Sequence, residues 1–169
     1  MNLAPNITLT GMPRTYSNGL QGIFETVAIM RHLVREYKIN PEVRQAATGI
    51  IFLTPAKNEY AEASTLFNYV RDHVRYLRDI ANVETIVTPD KTLLLQVGDC
   101  DDQSTLLAAM LESVGYETRF VVAGYNGANV EHVYLQVYVF GEWFNCDPTE
   151  PHEFGWSPPN PSIIYVERI

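Results

Sequence analysis

The sequence predicts an α+β fold: helices first, then an antiparallel sheet. Three observations carry this. Apolar residues recur every three to four positions up to Gly115. Beyond Gly115 the period switches to two. Phe140-Gly141-Glu142 then separates two alternating runs, as the turn of a hairpin does. Helices that precede the strands, rather than alternate with them, indicate α+β rather than α/β.

At 169 residues the chain has the length of one domain. Hydrophobic residues at 46% against 19% charged ones describe a globular chain, not a disordered one. Twenty acidic against twelve basic residues give a net charge of −8. That balance argues against binding to phosphate backbones and against a polybasic membrane anchor. Cys100 and Cys146 are too few for a disulfide scaffold, and too few for a thiolate-rich zinc site without help from His. The stretch from Ala46 to Ala56 is broken by Gly49 and Pro55 and is too short to span a bilayer. The N-terminus shows no secretory signal. The expectation is a cytoplasmic protein with reduced thiols.

Residues 1 to about 20 carry Pro5, Gly11, Pro13 and Gly19 and read as an extended arm. Ile23, Val27, Met30 and Val34 form a helical face that ends at Asn40-Pro41. Pro41 suits the first position of a second helix near 41–53, closed by Thr54-Pro55. Leu66, Val70, Val74 and Leu77 predict a third helix over 61–79. Residues 81–97 read as a connection. The run GDCDDQSTLLAAMLESVG then has strong helix propensity, with Gly115 as its stop. Strands are expected over Arg119–Ala123, from His132 through Val139, and over Trp143–Asp147. A short edge strand is expected over Ile163–Val166. Residues 1–60 read as an arm and helical extension of the same globule, and 61–169 as its core.

Cys100 opens an apolar helix. Free N–H groups and the positive end of the helix dipole favour a thiolate there, and the thiolate is the nucleophile. Asp99, Asp101 and Asp102 oppose this, because nearby negative charge raises a thiol pKa. In a hairpin with a two- or four-residue loop at Phe140-Gly141, Asp147 lies opposite Tyr134 and shares the face of His132. A three-residue loop would flip it away. In the favourable register Asp147 orients the imidazole, and Cys146 falls opposite Leu135 in the core. The even face carries His132 with Tyr134, Gln136 and Tyr138, while the odd face is apolar. Either both faces are covered or the helix packs on the Tyr/Gln face.

GDCDDQSTLLAAMLESVGYETRFV, followed by EHVYLQVYVFGEWFNCDPT, resembles the core of the transglutaminase-like superfamily of papain-like cysteine enzymes. FNYVRDHVRYLRD and VTPDKTLLLQ resemble the segments that precede the nucleophile in that family, so the resemblance covers about residues 62–150. It implies a central helix, with the nucleophilic Cys at its N-terminus, packed on an antiparallel sheet. It further implies Cys100 as nucleophile, His132 as general base and acid, and Asp147 as orienting acid. The first 60 residues resemble the leader of small bacteriophage and prophage members.

The implied reaction is acyl transfer at a carboxamide through a thioester, ending in hydrolysis or crosslinking. Gln96 and Tyr76 are candidate second oxyanion donors. Asp99, Asp101, Asp102 and Trp143 are candidates for substrate contact, with Trp143 also suited to the core. A peptide or protein substrate is the expected partner, and the acids beside the thiol add the expectation of a cationic one, with no cofactor, metal, nucleic acid or membrane. The three acids lack the Gly and Glu of an EF-hand loop and fit a helix start better than a cation site. His152 competes weakly with His132 as base, and Trp156 either lines the cleft or fills the core. Two other readings stay open: a non-catalytic structural component of a phage particle, and a peptide N-glycanase-like amidase.

Overall fold

Side-chain caps decide where several of the helices begin. Asn40 accepts hydrogen bonds from the Glu42 and Val43 N–H groups and starts helix α2, Pro41–Ile51, with Pro41 in its first turn. Asn58 accepts from the Ala61 N–H and starts α3, Glu59–His73. Upstream of both runs α1, Leu20–Tyr37. The computed structural model describes residues 20–78, 85–125, 127, 130 and 132–169. The expected N-terminal arm falls almost wholly on residues 1–19, outside the described residues.

Two expectations need correction. The third helix ends at His73, because Val74 turns to an extended conformation (φ −98°, ψ 107°) and leads into a two-residue strand β1, Arg75–Tyr76. The supposed connection contains a helix, α4, Pro89–Leu95, with Thr88 in extended backbone before Pro89. Proline at N1 is favourable because its missing N–H would have no partner there anyway. Gln96 closes α4 in the left-handed region (φ 54°), and Val97–Gly98 form β2, parallel to β1.

Helix α5, Cys100–Ser113, is the centre of the molecule. Leu106, Leu107, Ala108, Ala109, Met110 and Leu111 are all fully buried. At its C-terminus Gly115 (φ 101°) donates to the Glu112 carbonyl, and Tyr116 donates to that of Leu111. This double closure satisfies two carbonyls that the helix leaves open, and it needs the left-handed conformation that glycine adopts cheaply.

The antiparallel sheet comprises β3 (Thr118–Gly124), β4 (His132–Val139), β5 (Glu142–Cys146) and β6 (Ile163–Arg168), in the order β5-β4-β3-β6. Phe140 (φ 50°) and Gly141 (φ 87°) both lie at positive φ, as a two-residue type I′ turn requires. The register is the favourable one: Leu135 pairs with Cys146, and Tyr138 with Trp143. β6 extends past the expected end and pairs only with β3 among the described strands.

The helices pack on the odd face, and the other face is covered only in part, with Tyr138, Ile164 and Val166 exposed on it. The odd residues Val133, Leu135, Val137 and Val139 join α5, α1, α2 and α3 in one core cluster. On the other face Val121, Ala123 and Tyr134 form a second, small buried cluster against Tyr125. Among the described residues no helix is long and apolar enough to cross a membrane.

Candidate active site

The first turn of α5 is built by its own acids. Asp99 is the N-cap; its carboxylate accepts from the Asp101 and Asp102 N–H groups at 3.0 and 3.2 Å. Asp102 completes a capping box by accepting from the Asp99 N–H, and its other oxygen accepts from Val87 at 2.7 Å. Burial, and then the charges of Asp99 and Asp101, push the Asp102 carboxyl up to about 8. With 4% exposure Asp102 faces inward. The expectation of substrate contact is therefore corrected for Asp102, whose role in the structure is architectural.

Cys100 is the first residue of α5 and is partly buried. Its thiol donates to Asp101 Oδ1 at 3.6 Å. Burial raises the thiol pKa most, followed by the charges of Asp101 and Asp99; the Val133 N–H pulls the other way. The sulfur and the two carboxylates lie within 4.8 Å of one another. At a near-surface dielectric, each acid at such a distance opposes the thiolate by about 3–5 kcal/mol. A helix dipole returns only about 0.3–2 kcal/mol. The acids win over the dipole, so the resting group is a thiol.

His132 opens β4, and Asp147 follows the last residue of β5. The imidazole Nε2 lies 2.6 Å from Asp147 Oδ2. Asp147 is 2% exposed, and its second oxygen accepts from the Thr149 N–H at 3.2 Å and hydroxyl at 2.7 Å. Held in this way, Asp147 accepts a hydrogen bond from Nε2–H and leaves Nδ1 as the nitrogen with the free lone pair. The Tyr134 ring stacks beside the imidazole at a centroid distance of 6.0 Å.

A single residue brings helix and strand together. Val133, next to His132, directs its N–H at the Cys100 sulfur. Its carbonyl accepts from the Ser104 hydroxyl at 3.3 Å, one helical turn beyond Cys100. The thiol thus sits at the end of the sheet, beside the residue that follows the imidazole.

Tyr76 does not end a helix as expected; it lies in β1 and pairs with Gly98, two residues before Cys100. Its hydroxyl pKa is raised by burial first and then by the charge at Cys100, while a hydrogen bond from Arg78 lowers it. Gln96 is exposed, and the structure gives it a backbone role: its carbonyl accepts from the Arg75 N–H. Trp143 is partly buried and lies outside the core cluster. It lies under the Arg119 guanidinium at 4.0 Å, beside Tyr138. Its partner Tyr138 is six residues along β4 from His132, about 20 Å away at the rise of a strand, which removes Trp143 from the thiol's surroundings. His152 stacks on Trp156 at 3.7 Å, and its carbonyl accepts from Arg71. Cys146 is fully buried opposite Leu135, as expected of a core residue.

Three contributors escape a reading of the sequence: Thr149, Ser104 and Gln103. Gln103 is 1% exposed, and its Nε2 donates to the Gly98 carbonyl at 3.0 Å. Asp-Pro-Thr carries a faint signal for Thr149, because a hydroxyl two residues after Asp can close a turn onto it. A polar residue inside a helix carries none.

A family model described as Transglutaminase-like superfamily matches residues 44–148. Among solved structures, a candidate protease of Parabacteroides distasonis superposes with a TM-score of 0.61 at 13% identity, over 76% of this chain and 26% of that one. A candidate cysteine protease of Cytophaga hutchinsonii gives 0.54 at 13% identity, over 79% and 54%. Calcium-bound LapG of Legionella pneumophila gives 0.56 at 19% identity, over 84% and 87%. The chain thus spans about a quarter of the first of these proteins and about half of the second. No curated protein matches the sequence.

Proposed function

Since the chain belongs to the transglutaminase-like superfamily, we propose that it is a cysteine-dependent enzyme that attacks carboxamide or peptide bonds through a thioester. One observation carries the proposal: the His132–Asp147 pair at 2.6 Å stands next to Val133, whose N–H reaches the Cys100 sulfur.

In this reading His132 Nδ1 takes the Cys100 proton as substrate arrives. The sulfur attacks the carbonyl carbon, and the negative oxygen is received by the Cys100 N–H, in the first turn of α5 where N–H groups lack intrahelical partners, and by the Tyr76 hydroxyl. His132 then protonates the leaving amine, the C–N bond breaks, and a thioester remains. Water restores the thiol and releases an acid; an amine in its place yields a crosslink. The resting thiol suits a nucleophile that is charged only when substrate displaces water from the site.

The partner in this reading is a peptide or protein, with no nucleic acid or membrane. A preference for cationic substrates rests on the negative charge that Asp99 and Asp101 bring beside the sulfur, because Asp102 is buried. Asp101→Asn is expected to raise KM for Lys-bearing peptides more than for neutral ones; equal effects on both would remove the preference.

The test is mass spectrometry after incubation with p-nitrophenyl acetate and with glutamine peptides. An acyl adduct on Cys100 that is lost in Cys100→Ala and in His132→Ala is expected. Turnover that persists in Cys100→Ala would sink the proposal. The acid-flanked thiol favours one rival, a non-catalytic assembly component such as a phage particle protein. For that rival, no probe would leave an adduct.

A further inference from the structure

Gln103 is a buried amide on the helix that carries the thiol, and half of it is unused. Its Nε2 donates to the Gly98 carbonyl, yet its Oε1 is buried with no hydrogen-bond partner among the described residues. A leucine would fill this site without that cost, so the amide is kept for what its N–H group does.

The Gly98 carbonyl is shared. It also accepts from the Leu77 N–H at 3.1 Å. Strand β1 contains only two residues, and its other backbone tie is the Arg75 N–H to the Gln96 carbonyl at 2.9 Å. Tyr76 therefore hangs between two hydrogen bonds, one of which ends on the oxygen that Gln103 holds. Gly98 itself is pressed on α5: a Cβ there would meet Asp102 Cβ at 2.6 Å. The β1–β2 pair is thus pinned to the first turn of α5 from two sides.

We propose that Gln103 is a positioning residue that sets Tyr76 at the thiol: the Gln103 amide fixes the Gly98 carbonyl, that carbonyl fixes Leu77, and the phenol of Tyr76 is thereby held where negative charge develops on the substrate oxygen. This deepens the nucleophilic-cysteine reading above and rests on it. Gln103 touches no reacting atom; it acts through the backbone of its neighbours. A donor displaced by about an ångström loses much of its effect on a transition state.

Two reactions separate this role from a merely structural one. Alkylation of Cys100 by iodoacetamide forms no oxyanion; acylation by p-nitrophenyl acetate does, as the S–C bond forms and before nitrophenolate leaves. In Gln103→Leu, alkylation is expected to stay within about twofold of wild type while acylation slows by about tenfold or more. In the Tyr76→Phe background, Gln103→Leu is expected to add almost nothing, because the group it positions is gone. Should Gln103→Leu fail to fold, Leu77→Pro removes the other donor to the same carbonyl at an exposed position and is expected to reproduce the split. Acylation at the wild-type rate in either folded variant, or losses from Gln103→Leu and Tyr76→Phe that multiply, would overturn the proposal while the nucleophile stands. A wild-type protein inert to the ester would overturn both.

Discussion

Asp101 shows how one side chain sets the state of its neighbour. It receives the Cys100 S–H and adds negative charge beside the sulfur, so it holds the proton in place. Removing that charge lowers the thiol pKa and raises the thiolate fraction at neutral pH. Asp101→Asn is therefore expected to speed iodoacetamide alkylation of Cys100 at pH 7 several-fold, read from the pH dependence of the rate. A rate equal to wild type would mean that burial and the charge of Asp99 hold the proton without it. The sequence displayed this conflict between acids and dipole but not its outcome, because the outcome depends on distances and burial that neighbouring letters do not encode. His132 and Asp147 were legible because hairpin register is arithmetic on residue numbers. Thr149, which holds Asp147 from behind, was not: a Thr after Pro looks like any turn residue.

At the level of elements, the capping box of α5 carries its own pH dependence. Asp102 has a folded pKa raised to about 8 from an ordinary 3.8. The folded chain therefore binds this proton more tightly than the unfolded chain does. The resulting stability is fully present below the unfolded value and is lost as pH rises toward 8. Thermal melts should show Tm falling between pH 5 and 8 in wild type, and falling less in Asp102→Asn, which keeps an oxygen for the Val87 N–H. An identical slope in both proteins would count against a protonated Asp102. The hairpin turn offers a second check. Gly141 lies at φ 87°, so Gly141→Ala should cost about 1–2 kcal/mol in chemical denaturation, with Cys100 still reactive in the folded fraction. Helix α4 eluded the sequence because seven residues with three consecutive leucines show no clear period; only Pro89 and the αL closure at Gln96 mark its ends. Helix α3 was read too long because Val74 and Leu77 continue its apolar spacing after the backbone has become extended.

Over the whole molecule, the first two helices belong to the same core as the site. Met30, Val34, Val43 and Ala47 are fully buried in the cluster that contains α5. Arg31 pairs with Glu167, Phe24 meets Tyr165 edge-on, and Lys38 reaches Glu112 at 2.9 Å, so α1 is tied to both β6 and α5. Deleting residues 1–51 strips these contacts and is expected to abolish cooperative thermal unfolding; a shortened chain with a sharp transition would show that α5 is sufficiently covered without them. The periodicity of these helices was plain in the sequence. Where they dock was not, because an amphipathic stripe states that it needs a partner and not which one.

Val133 places its two backbone groups on opposite sides of one junction, the N–H on the sulfur and the carbonyl on Ser104. A slip of β4 by one residue would exchange core and solvent faces and, in the same movement, take the imidazole away from the thiol. Chemistry and packing are therefore registered by the same peptide unit. A partly folded chain gains no partial site, and the amount of thiol that reacts in the native manner counts the molecules that are correctly folded.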